Sequence, residues 1–118
     1  MTSKTTEPVQ TKVEIAELML DPQNPRLKSK QHEASQIELA KEIALHFDAL
    51  SLARLIAANG FYINQALLVY PSGPNRYIVA EGNRRLTAVL GLTNADFRDN
   101  FQNKSEWTKL SESKKLIN

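Results

Sequence analysis

The stretch from Tyr77 to Leu92 constrains this chain most, because a short continuous apolar run gives way to apolar residues at helical spacing across a single glycine. Tyr77-Ile78-Val79-Ala80 is a short apolar run with the character of a buried strand. Leu86, Val89 and Leu90 then mark one face of a helix that begins near Arg84, and Glu81-Gly82-Asn83 joins the two. A strand entering a helix through so short a turn must pack close to it. A second apolar run, Ala66 to Tyr70, precedes the first and is separated from it by Pro71-Ser72-Gly73-Pro74-Asn75. The pair reads as a β-hairpin with a five-residue loop.

Upstream, Val13, Ile15 and Leu18 alternate loosely with Lys12, Glu14 and Glu17, which predicts a first strand or extended segment over 12–20. Asp21-Pro22-Gln23-Asn24-Pro25-Arg26 cannot be helical, since each proline lacks a donor and restricts its predecessor. Ser35-Gln36-Ile37-Glu38 has the form of a capping box, and Leu39, Ala40, Ile43, Ala44 and Phe47 follow at helical spacing, predicting a helix over 36–47. Asp48 or Ser51 is placed to cap a second helix carrying Leu52, Leu55 and Ile56, which Asn59-Gly60 stops. Beyond Thr93-Asn94 the pattern weakens. Phe97 and Phe101 stand four apart, and Ser105 is a cap candidate for a helix holding Trp107 and Leu110; these aromatics suit a core or a partner-facing surface better than a stacking platform. With 118 residues there is room for one domain and one core. The organisation expected is a flexible tail over 1–11, a small α+β domain over 12–92 and a helical extension over 93–118.

Several function classes are excluded by what is missing. The chain has no cysteine, so it has no disulfide, thiolate metal site or cysteine nucleophile. No apolar run approaches the roughly 18 residues that span a bilayer, and the N-terminus lacks the apolar core of a secretory signal, so the expected location is cytoplasmic, away from membranes. Fifteen basic and 13 acidic residues leave a net charge of +2, too balanced to predict nucleic-acid binding without clustering. His32 and His46 stand alone, without a second ligand at metal-binding spacing.

The chemistry concentrates where the last strand meets its helix. The first amides of a helix have no intrahelical acceptors and lie at the positive end of the macrodipole, where a phosphate can accept from them. Arg84 and Arg85 add guanidinium donors suited to bidentate phosphate contact. Cations at a helix N-terminus are locally unfavourable, and a bound anion explains them. Equally, the arginines could pair with Glu81 or Glu38 around a ligand-free tight turn. In the phosphate reading the Arg84 side chain faces solvent in the empty site. Asn24 and Arg26 could reach the same ligand from the first loop, or belong to a connection that its prolines fix.

Asn59-Gly60-Phe61, the hairpin, and Tyr77 through Ala88 with its Glu81-Gly82-Asn83-Arg84-Arg85 core together resemble the N-terminal domain of the ParB/sulfiredoxin superfamily, as does Asn24-Pro25-Arg26 after the first strand. The resemblance covers about residues 12–92. It implies a mixed sheet with a hairpin packed against several helices. In ParB proteins the corresponding turn reads Gly-Glu-Arg-Arg and binds the triphosphate of CTP with magnesium; sulfiredoxins have Gly-Cys-His-Arg there and bind ATP. A third branch, which includes subunits of modification-dependent restriction systems, reads Asp-Gly-Gln-Gln-Arg-Leu-Thr and is the nearest in form. The resemblance implies a nucleoside triphosphate of the CTP or ATP type, bound through Gly82, Asn83, Arg84 and Arg85. Glu81 would hold Mg2+ and, with Arg84, support hydrolysis, in a DNA-related regulatory, partition or defence system. The alternative is a DNA-binding or nuclease domain whose arginines contact the phosphate backbone. Three departures bear on this: Asn83 replaces the metal-ligating glutamate, the cysteine of sulfiredoxins is missing, and Asn64-Gln65-Ala66 replaces the Gln-Pro of ParB. The residues beyond Leu92 are too few to complete a helix-turn-helix module. Read separately from the resemblance, the C-terminal helices could pair two copies as a homodimer.

Overall fold

A computed structural model describes residues 13–22, 35–60 and 67–113. Within these the chain forms a short 3-10 turn (Ile15–Glu17), β1 (Leu18–Met19), α1 (Gln36–His46), α2 (Ala49–Asn59), β2 (Leu68–Pro71), β3 (Tyr77–Glu81), α3 (Asn83–Thr93), α4 (Ala95–Arg98) and α5 (Lys104–Ser111). The sheet runs β1-β3-β2, with β1 parallel and β2 antiparallel to β3, so it is mixed and the fold is α+β. Val69 pairs with Val79 and Tyr70 with Ile78; the register shifts between Leu68 and Val69. Pro71, lacking an N–H, ends β2 on the open edge of the sheet, where its missing donor breaks no ladder. The hairpin forms one residue later than the sequence pattern placed it. Its loop closes by a bond from the Ser72 amide to the Arg76 carbonyl at 2.8 Å.

Local signals set most helix ends. The Ser35 hydroxyl accepts from the Glu38 amide at 3.1 Å, and the Glu38 carboxylate accepts from the Ser35 amide at 3.3 Å, which completes the expected capping box. Asp48 caps α2 through the Ser51 amide, and Gly60, at φ 85°, ends it. Leu55, read as part of the apolar stripe of α2, is 61% exposed; the buried face is Ala49, Leu50, Ala53, Ile56 and Ala57.

The first strand is far shorter than the segment expected, because side chains take over from the ladder. Gln36 accepts from the Leu20 amide at 2.7 Å and donates to the Leu20 carbonyl at 3.1 Å, and the Asp21 amide donates to the side chain of Asn83 at 3.0 Å. Two side-chain amides thus hold the chain after β1 against the starts of α1 and α3.

One hydrophobic cluster joins all layers: Leu20 beyond β1, Leu39 and Ile43 of α1, Leu50 and Ile56 of α2, Val79 of β3, Leu86 and Leu90 of α3, and Phe101 and Trp107. The stretch read as a helical extension therefore contributes its two buried aromatics to the same core. Their rings meet edge to face with centroids 5.0 Å apart. Ser105 does not cap α5; the cap lies two residues earlier, at Asn103 in a left-handed conformation.

Candidate functional site

The end of β3 and the start of α3 lie at one side of a cleft of about 260 Å³. Ala80, Glu81, Gly82, Asn83, Arg84 and Arg85 line one wall, and Ile43, Phe47 and Leu52 from the α1–α2 corner line the other. Gly82 takes φ 108° and its carbonyl accepts the first helical bond, from the Leu86 amide at 2.8 Å. The amides of Asn83, Arg84 and Arg85 precede that bond and have no intrahelical acceptor, and a glycine cap has no side chain to offer them. Glycine has two internal reasons to be here. The positive φ disfavours any side chain, and an added Cβ would stand 2.5 Å from Leu67 Cδ2.

The five predicted residues of this turn divide by what holds them. Asn83 is 6% exposed, with its side-chain oxygen on the Asp21 amide and its nitrogen donating to the Val79 carbonyl at 2.9 Å. That amide is engaged at both ends as a tether between β1, β3 and α3; what Asn83 can offer a ligand is its backbone N–H.

Arg84 corrects the expectation of a solvent-facing side chain. Its Nε donates to the Phe47 carbonyl at 2.6 Å and its Nη2 to the Asp48 carbonyl at 2.9 Å. These carbonyls belong to the turn leaving α1, where a cation is favourable, so Arg84 has a structural reason to stand at the start of α3. Of its five donors, three remain for other work. Hydrogen bonds from the Ser51 hydroxyl and amide hold the Asp48 carboxyl below the usual aspartate range, with a smaller contribution from Arg84.

Arg85 is held differently. It lines the cleft, half-buried, and its Nε is shielded from solvent with no hydrogen-bond partner. Neither guanidinium is ion-paired with a carboxylate among the described residues, so pairing with Glu81 or Glu38 does not account for the two arginines. Glu81 is exposed at the end of β3 and brings one carboxylate to the cleft. No group of three or more histidines, aspartates and glutamates that could hold a metal occurs among the described residues. Asn24 and Arg26 lie outside them.

A larger groove, about 630 Å³, runs between α1 and the α4–α5 turn. Its carboxylates include Glu38 and Asp48, both already bound as helix caps, and its aromatic floor, Phe101 and Trp107, is buried in the core. The smaller cleft has the better chemistry, since it sets two arginines and the uncapped first amides of α3 beside a buried guanidinium nitrogen without a partner.

Sequence reasoning found the turn but missed the partners of Arg84, the tethering role of Asn83 and the apolar wall opposite. Phe47 and Leu52 carried the signal of core residues, and both pack partly against the core while facing the cleft. No helix among the described residues is long and apolar enough to cross a membrane. No family model matches the chain, and no curated protein or solved structure matches it significantly.

Proposed function

We propose that the chain binds a nucleoside triphosphate of the CTP or ATP type, with its phosphates on the first turn of α3. The observation that carries this is Arg85: a guanidinium whose Nε is removed from water without an acceptor, beside three amides that also lack one. A buried donor left unpaired costs about 1–3 kcal/mol, and a phosphate oxygen would remove that cost. In this reading the amides of Asn83, Arg84 and Arg85 donate to phosphate oxygens, Arg85 adds a charge-assisted contact, and the free donors of Arg84 complete the set.

The donors present fit a magnesium ion only if it arrives on the phosphates, because Glu81 is the one carboxylate at the cleft among the described residues and the Asn83 side chain is committed elsewhere. When bound, that ion would neutralise phosphate charge. Any hydrolysis would rest on positioning and charge stabilisation by Glu81 and Arg84 rather than on a covalent step. A cleft of about 260 Å³ with an apolar wall favours a compact phosphate ester over a DNA backbone, which calls for a broad basic face.

Calorimetric titration of the full chain with CTP, ATP, GTP and UTP, each with Mg2+, tests the proposal. Binding of at least one is expected; a folded sample that binds none overturns it. Arg85→Ala should weaken that binding by roughly ten-fold or more, as loss of a hydrogen bond to a charged group does, without lowering thermal stability.

A further inference from the structure

We infer that the α1–α2 corner, with Phe47 at its centre, receives the organic part of the ligand, so that Phe47 determines which phosphate esters the cleft accepts. This rests on reading Gly82 to Arg85 as the seat of the phosphates.

The two walls of the cleft differ in chemistry. One presents backbone amides and guanidinium groups; the other presents Ile43, Phe47 and Leu52. Ile43 is 2% exposed and belongs to the core, but Phe47 and Leu52 are only partly covered by it. An inorganic polyphosphate gains nothing from such a wall, because its oxygens are strongly hydrated and lose water against apolar surface without a hydrogen bond in return. An ester whose ring or base lies along the wall covers that surface instead, and an aromatic side chain offers a base its flat face.

The corner is also held in place for this role. Arg84 binds the carbonyls of both Phe47 and Asp48, so the backbone that carries the aromatic ring is joined directly to the helical turn that carries the phosphate donors. Both halves of the site are then ordered before a ligand arrives, which spares the cost of ordering them on binding. At about 260 Å³ the cleft is smaller than the pockets that enclose whole ligands, typically about 300–1,000 Å³. It suits a phosphate chain at one end and a ring resting on an open wall at the other.

The test compares Mg2+-bound inorganic tripolyphosphate with the tightest of the four nucleoside triphosphates, titrated into the full chain and into Phe47→Leu. Leucine keeps an apolar side chain and leaves the carbonyl that Arg84 binds. The wild type should bind the nucleotide at least about ten-fold more tightly than tripolyphosphate. Phe47→Leu should lose most of that advantage while its affinity for tripolyphosphate stays unchanged. Equal wild-type affinities, or an equal loss for both ligands in the variant, would overturn the role of Phe47 and leave the phosphate seat standing. If the wild type binds neither, the phosphate seat itself fails and this inference with it. If Phe47→Leu does not fold, Phe47→Met takes its place: it should lose the same advantage, and keeping it would overturn the role of Phe47.

Discussion

Thr87 has no accessible surface in the middle of α3, and its hydroxyl has no hydrogen-bond partner. A hydroxyl buried without a bond costs about 1–3 kcal/mol, and valine has nearly the same shape and helix propensity. Thr87→Val should therefore stabilise the protein by about 1 kcal/mol, raising the melting temperature by roughly 4 °C. A lower melting temperature would show that the hydroxyl is satisfied after all. Gly91, one turn further on, gives the opposite expectation. Alanine is worth about 1 kcal/mol more than glycine inside a helix, yet a Cβ here would stand 2.3 Å from Trp107 Cζ3 and 2.9 Å from Phe101 Cε2. Overpacking costs about 1–3 kcal/mol, so Gly91→Ala should destabilise despite the gain in propensity. Combining it with Trp107→Phe should cost less than the sum of the two changes, as a double-mutant cycle by thermal melts would read.

At the scale of elements, what the sequence revealed depended on how far apart the interacting residues lie. The Ser35–Glu38 box, the Gly60 stop and the entry to α3 at Gly82 are contacts within a few residues, and each was legible from residue type and spacing. The brevity of β1 was not, because the groups that hold Leu20 and Asp21 are Gln36 and Asn83, 16 and 62 positions away. Nor was the fate of Arg84, whose acceptors are backbone carbonyls 36 and 37 residues upstream; a carbonyl leaves no mark in side-chain chemistry. In α4 and α5 the aromatic spacing answers to the surface of α3 rather than to a stripe of their own, which blurs the pattern after Asn94. Arg84 allows a test at this scale. A lysine keeps the charge but cannot hold two carbonyls with a planar fork. Arg84→Lys should lower the melting temperature and loosen the α1–α2 corner, seen as faster amide exchange at Phe47 to Ser51. Unchanged exchange there would mean that the corner is held by its packing alone.

For the whole molecule, the core is continuous from α1 to α5, but the bonds that close its edges are electrostatic and exposed. Arg54 of α2 donates to both carboxylate oxygens of Glu106 on α5, at 2.6 and 3.0 Å, and Asp48 caps α2 at its other end. The bonds from Arg54 hold the Glu106 carboxyl below the usual glutamate range, and those from Ser51 do the same for Asp48. A carboxyl whose pKa is lower in the folded state than in the unfolded chain contributes stability above its unfolded pKa and loses it as the pH falls through the folded one. Thermal stability should accordingly stay level from neutral pH down to about 5 and decline below roughly pH 4.5, where unfolded carboxylates begin to take up protons. Asp48→Asn keeps a good N-cap acceptor and Glu106→Gln keeps an acceptor for Arg54, while neither titrates. Melting curves of that double variant between pH 3 and 7 should start from a lower plateau and fall less steeply in acid. If the acid limb is as steep as in the wild type, protons act elsewhere, and α2 is not where acid first weakens the fold.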